Sequence, residues 1–152
     1  MIWPAIWRLP TPMSLRAGNE KRPPPGTFFD AATIDILTTS SIRKLQKYVP
    51  DVLLDVRRFR PNLLIDDDAQ RDDVRERDWI GAVVGIGSAK FTVVREAPRC
   101  TMIAAEQAAD IPRHSPILRA IVKEMKQALS VYCDVKRPGF VKLGEFIFRQ
   151  EA

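Results

Sequence analysis

The amino-acid sequence predicts a mainly β fold, and three observations carry that prediction. Twelve prolines stand against seven glycines, a balance that favours strands and loops over a helical bundle because proline breaks helix interiors. Residues 79–96 read as strand, glycine turn, strand. Only one long stretch, 115–129, carries an apolar face at helical spacing. A chain of 152 residues suits one domain that buries its core without disulfides.

Residues 1–27 read as an irregular arm, because Pro4, Pro10, Pro12 and the run Pro23-Pro24-Pro25-Gly26 prevent regular structure. Residues 28–37 follow as a strand with Ile34 and Ile36 on one face. Thr38-Thr39-Ser40-Ser41 offers an N-cap to a short helix over 42–48, closed by Pro50. Residues 62–65 fit a short buried strand. It runs into the acidic segment 66–73, which reads as a solvated loop. A calcium loop starting at Asp66 needs glycine and glutamate where Arg71 and Arg77 stand, so that reading fails.

Between 79 and 96, Gly85-Ile86-Gly87 begins like a dinucleotide fingerprint, but Lys90 replaces the third glycine and a strand follows instead of a helix. The glycines mark a hairpin turn instead. Residues 99–105 are the next predicted strand, carrying Cys100. The helix predicted over 115–129 has Ser115 as N-cap, Pro116 at its first position, and Ile117, Leu118, Ile121, Val122, Met125 and Leu129 on its apolar face. Residues 131–135 and 140–148 complete the chain as strands, with turns at Pro138-Gly139 and Gly144.

Two cysteines, Cys100 and Cys133, are too few for a disulfide framework. The formal charge of +5 points to anionic partners without implying nucleic acid, and no nucleic-acid interface is expected. No apolar run is long enough to span a bilayer and the N-terminus lacks a signal-peptide pattern, so the expectation is a cytoplasmic protein without a membrane partner.

The chemistry concentrates in two clusters: Arg57-Arg58-Phe59-Arg60-Pro61-Asn62 and Pro98-Arg99-Cys100-Thr101-Met102. A thiolate is the form of cysteine that binds soft metals, and nearby positive charge favours it. In a strand, Arg99 and Cys100 point to opposite faces, which makes the upstream arginines the expected cationic support. Arg58 and Arg60 share a face if that stretch is extended, as Pro61 favours for Arg60. The arginine fork matches phosphate, and Asn62 adds neutral donors. Against this stands the bland reading, in which such arginines pack their stems on the surface and a free cysteine is a small buried hydrophobe. Cys133, alternating with apolar residues, reads as a core thiol, and the lone histidine, His114, as structural.

The segments RRFRPNLLID (57–66), DWIGAVVGIGSAKFTVV (78–94), PRCTM (98–102), VYCDV (131–135) and PGFVKLGE (138–145) together resemble the MOSC domain family, which takes its name from the C-terminal domain of molybdenum cofactor sulfurases. The likeness runs from residue 28 to the end. It implies a β-barrel-like domain with two or three peripheral α-helices over 28–152, holding the molybdenum cofactor (molybdopterin). It also implies that Cys100 ligates molybdenum or carries a transferable sulfur, and that Arg58, Arg60, Asn62 and Arg99 lie near the anionic cofactor. The implied activities are an oxidoreductase reducing N-hydroxylated compounds, a sulfurtransferase-like carrier delivering a Cys100 persulfide, or a non-catalytic anion-binding module. The implied partners are an external electron donor or sulfur donor protein, and a further domain completing the site. Pyridoxal phosphate is not supported by this chain. Glu145 stands where the family usually has aspartate.

Overall fold

The computed structural model describes residues 34–67 and 74–150. The proline-rich arm, residues 28–33 of the first predicted strand and residues 68–73 of the acidic segment lie outside them. Six strands form one sheet: β1 (Ile34–Thr38), β2 (Leu63–Ile65), β3 (Val83–Ile86), β4 (Ala89–Pro98), β5 (Ala128–Arg137) and β6 (Ile147–Gln150). Their spatial order is β2-β1-β5-β4-β3-β6. All pairs are antiparallel except β1–β2, which is parallel and needs a crossover, supplied by α1 (Thr39–Tyr48). A second helix, α2 (Ser115–Glu124), and 3-10 turns at Val56–Phe59, Arg75–Trp79 and Thr101–Ala104 complete the described chain. Register shifts along β4–β5 act as bulges that bend the strands, and the sheet curls into a half-barrel. This is the mainly β, barrel-like fold expected.

Alternation along the strands divides the core. Ile36, Val84, Ile86, Phe91, Val93, Val131 and Cys133 pack on one face of the sheet. Leu37 and Leu129 face the other way, against Leu45 of α1 and Ile117, Ile121 and Met125 of α2. At about 25 cal/mol per Å² of apolar surface removed from water, these two clusters supply the main drive for folding.

The hairpin predicted from the glycines is present: Val83–Ile86 pairs with residues 89–92, and Gly87 turns at φ +57°, a conformation that costs glycine little. Four expectations are corrected. α1 starts three residues early, with Thr38 as its N-cap accepting from Ser41 N. α2 ends at Glu124 because the N–H groups of Met125 and Gln127 both close on the Ile121 carbonyl. Lys126 and Gln127 then turn at φ 54° and 62°, and Leu129 belongs to β5. It keeps the helical spacing because it enters the same core cluster from the neighbouring strand. Residues 99–105 are not a strand: β4 ends at Pro98, which has no N–H for a ladder, and a 3-10 turn follows. Of residues 140–148, only Ile147 and Phe148 are in a strand; Phe140, Leu143 and Phe146 are exposed in the preceding turns.

A candidate cofactor site

The two motif clusters meet, and arginine side chains join them. Asp55 caps the turn Val56–Phe59 through its side chain, accepting from Arg57 N at 2.8 Å. This turns the Arg58 side chain inward, where it is 4% exposed. Its Nη1 donates to the carbonyls of Ile103 and Ala105 at 3.0 and 3.1 Å, and its Nη2 to that of Pro112 at 2.8 Å. Gln107 completes the stitch, its Nε2 donating to the Arg58 and Met102 carbonyls, each at 3.0 Å. Burial lowers the Arg58 pKa, with Asp55 opposing. Arg57 points outward to Asp55 and Asp110 at 2.5 and 2.6 Å, and bonds to these two carboxylates raise its pKa.

Arg99 is the second joint. It is buried, with Nε donating to the Leu129 carbonyl at 2.8 Å, Nη1 to the Phe59 carbonyl at 3.2 Å, and Nη2 to Asp35 Oδ2 at 2.9 Å and to Ser130 Oγ. Burial pushes the Asp35 carboxyl above its usual range, although Arg99 and Ser130 pull it down. Asp35 is also tied to Asn62, whose Oδ1 accepts from Asp35 N at 2.7 Å and whose N–H donates to the Asp35 carbonyl at 2.9 Å.

The outward-facing groups follow from these joints. Cys100, exposed, occupies the N-cap position of the turn Thr101–Ala104. Arg60, exposed, follows Phe59 in the left-handed conformation, at φ 53° and ψ 43°. Among the described residues its guanidinium has no hydrogen bond or ion pair. The bond between Arg99 and the Phe59 carbonyl therefore joins the two residues that precede Cys100 and Arg60. The extended geometry expected to put Arg58 and Arg60 on one face is not present: Arg58 is clamped inside and Arg60 faces out. Arg99, expected across a strand from Cys100, is instead the buried anchor of the turn that carries it. Of the five residues singled out, Cys100 and Arg60 are open to a ligand, Asn62 is half-buried, and Arg58 and Arg99 hold the frame.

A polar cluster at the start of α1 escaped the sequence reading. Ser40 N and Oγ donate to Asp67 Oδ1 and Oδ2 at 2.7 and 2.6 Å, and Thr39 Oγ1 to Asp67 Oδ1 at 2.8 Å. Asp67, expected in solvent, caps the helix with a side chain only 4% exposed, because a helix N-terminus favours an anion. Behind it the fully buried Glu76 accepts from Thr38 Oγ1 at 2.6 Å and, through both oxygens, from Ser41 Oγ at 2.7 Å. Burial raises the Glu76 pKa and these bonds only partly offset it. The four consecutive hydroxyl residues were the available signal. Cys133 is a core thiol as expected, pushed up to about 12 by burial and by Asp35 and Asp134. His114 occupies the N-cap position of α2. Among the described residues, no three His, Cys, Asp or Glu side chains group as a metal site, and no helix is long and apolar enough to cross a membrane.

No curated protein matches the sequence. A similar solved structure is the crystal structure of YiiM from Geobacillus stearothermophilus, with a TM-score of 0.55 at 16% identity over 78% of this chain and 54% of that one. The likeness is one of fold, and the chain spans about half the length of that protein. The family model of the MOSC domain matches residues 24–147, most of the chain and both motif clusters, and the protein therefore belongs to the MOSC domain family.

Proposed function

We propose that this domain binds the molybdenum cofactor and reduces N-hydroxylated compounds with electrons from an external donor protein. The supporting observation is that an exposed thiol, Cys100, and an exposed guanidinium, Arg60, which has no hydrogen bond or ion pair among the described residues, sit on two turns locked together by Arg58 and Arg99. The residues fit the group: a thiolate is a soft ligand suited to molybdenum, and an arginine fork suits the pterin phosphate. In this reading Cys100 is the metal ligand and Arg60 the phosphate partner. Asn62 keeps its Nδ2 for donation, since its Oδ1 is taken by Asp35. Arg58 and Arg99 act through the turns they hold. When bound, the cofactor supplies two-electron transfer at molybdenum. Reduction of an N-hydroxy group to an amine consumes those two electrons and two protons and releases water.

In this reading a further domain or partner protein completes the site. Mixing the purified protein with an amidoxime and a reduced viologen tests the reaction. Amidine formation, with water released, that disappears in Cys100→Ser is the expected result. The outcome against it is a sulfur-loaded Cys100 with no reductase activity, which favours the sulfur-carrier role.

A further inference from the structure

We propose that Asp35 is a positioning residue of this site: its buried carboxylate orients Arg99 and so holds the segments bearing Arg60 and Cys100 in fixed relation, while its peptide groups tie in Asn62. It sits inside β1, 8% exposed. Strand alternation puts Ile34 and Ile36 on one face and Asp35 with Leu37 on the other, where Leu37 joins the core. An apolar residue would suit this position for stability alone. Asp35 instead makes three connections. Its Oδ2 accepts from Arg99, the residue before Cys100, at 2.9 Å. Its peptide N–H and carbonyl both pair with Asn62, at 2.7 and 2.9 Å. Through Arg99 Nη1 it reaches the Phe59 carbonyl, next to Arg60. All three open or half-open groups of the site thus lie within one residue of a partner of Asp35 or Arg99.

Buried ion pairs are poor sources of stability, since desolvation offsets the attraction. Asp35 shows that cost: burial is the dominant influence on its carboxyl, and its Oδ1 is buried without a hydrogen-bond partner among the described residues. A pair retained at such a cost fixes direction. The planar guanidinium of Arg99 can serve the Phe59 and Leu129 carbonyls together only while its fork is oriented, and Asp35 with Ser130 does the orienting.

The inference rests on the proposed cofactor site, with Cys100 on the metal and Arg60 on the pterin phosphate, and its test separates the two ideas. Asp35→Ala, Asp35→Asn and a core control, Ile121→Val, are purified from a cofactor-competent host. Each is assayed well below its own unfolding transition. Pterin content and hydrogen exchange over 59–62 and 99–104 are measured. The expected result is a loss of pterin affinity of about tenfold or more in Asp35→Ala, the size typical of residues behind a ligand. Asp35→Asn, which keeps an acceptor for Arg99, recovers part of it, and Ile121→Val retains pterin whatever stability it loses. Exchange speeds up in the two turns of Asp35→Ala and not across β3. Folded Asp35 variants with wild-type pterin content and wild-type exchange in both turns overturn the proposal. If Asp35→Ala does not fold, Asp35→Asn alone decides by the same criteria. A wild-type protein without pterin removes the functional reading, and the exchange measurement then decides on Asp35.

Discussion

Arg58 donates from one nitrogen to the carbonyls of both Ile103 and Ala105, at 3.0 and 3.1 Å, so the arginine-rich turn and the cysteine-bearing turn form one unit. A lysine cannot reproduce that reach with three donors on a flexible stem. Arg58→Lys strands at least one buried carbonyl. Leaving a buried polar group unpaired costs about 1–3 kcal/mol, and a loss of roughly 2 kcal/mol is expected in urea unfolding, with an unchanged denaturant slope.

Arg60 carries the opposite signature. Its left-handed backbone, φ 53°, costs an ordinary residue roughly 1 kcal/mol that glycine avoids. Arg60→Gly is therefore expected to raise stability by about that amount while lowering pterin content. A variant that loses both pterin and stability contradicts the assignment of Arg60 to ligand binding.

Glu76 gives a pH prediction. Its folded-state pKa lies above the ordinary value of 4.5, so the folded protein holds that proton more tightly than the unfolded chain. The linked stability is fully present below pH 4.5 and is lost as pH rises through the folded value. Glu76→Gln carries no such charge, and its stability profile is expected to be flatter than wild type across that window. Parallel profiles for the two proteins refute the shift. Asp35 also titrates high, but it is common to both proteins and drops out of the difference.

Asp67 behaves in the reverse sense. Burial raises its pKa, but bonds from Ser40 and Thr39, with Arg43 nearby, outweigh it and hold the carboxyl low. Its contribution is present above the ordinary value of 3.8 and is lost as pH falls through the folded one. Asp67→Ala should cost about 1–2 kcal/mol, the range of lost N-caps, and the cost measured by chemical denaturation should shrink in acid.

What the sequence made legible was local or carried by motif. The hairpin was readable because glycines separate two strand-like runs, and most of the core face of α2 because its spacing is helical, although Val122, expected on that face, is exposed. The motif clusters were located, but the direction of their side chains was not, since it depends on a proline at the end of β4 and on the Asp55 cap. Arg58 and Arg99 looked like ligand-facing cations because sequence shows charge and not burial. Asp67 looked solvated because its partners, Thr39 and Ser40, lie across the β1–β2 crossover and pair with it only when the sheet forms.

Molybdenum and pterin content, measured together with intact mass after purification from a cofactor-competent host, decides whether Cys100 and Arg60 hold the cofactor. One molybdenum and one pterin per chain are expected in the wild-type protein, with loss of the metal in Cys100→Ser without loss of fold. A wild-type chain free of both, or a Cys100→Ser variant that keeps its molybdenum, would contradict that assignment.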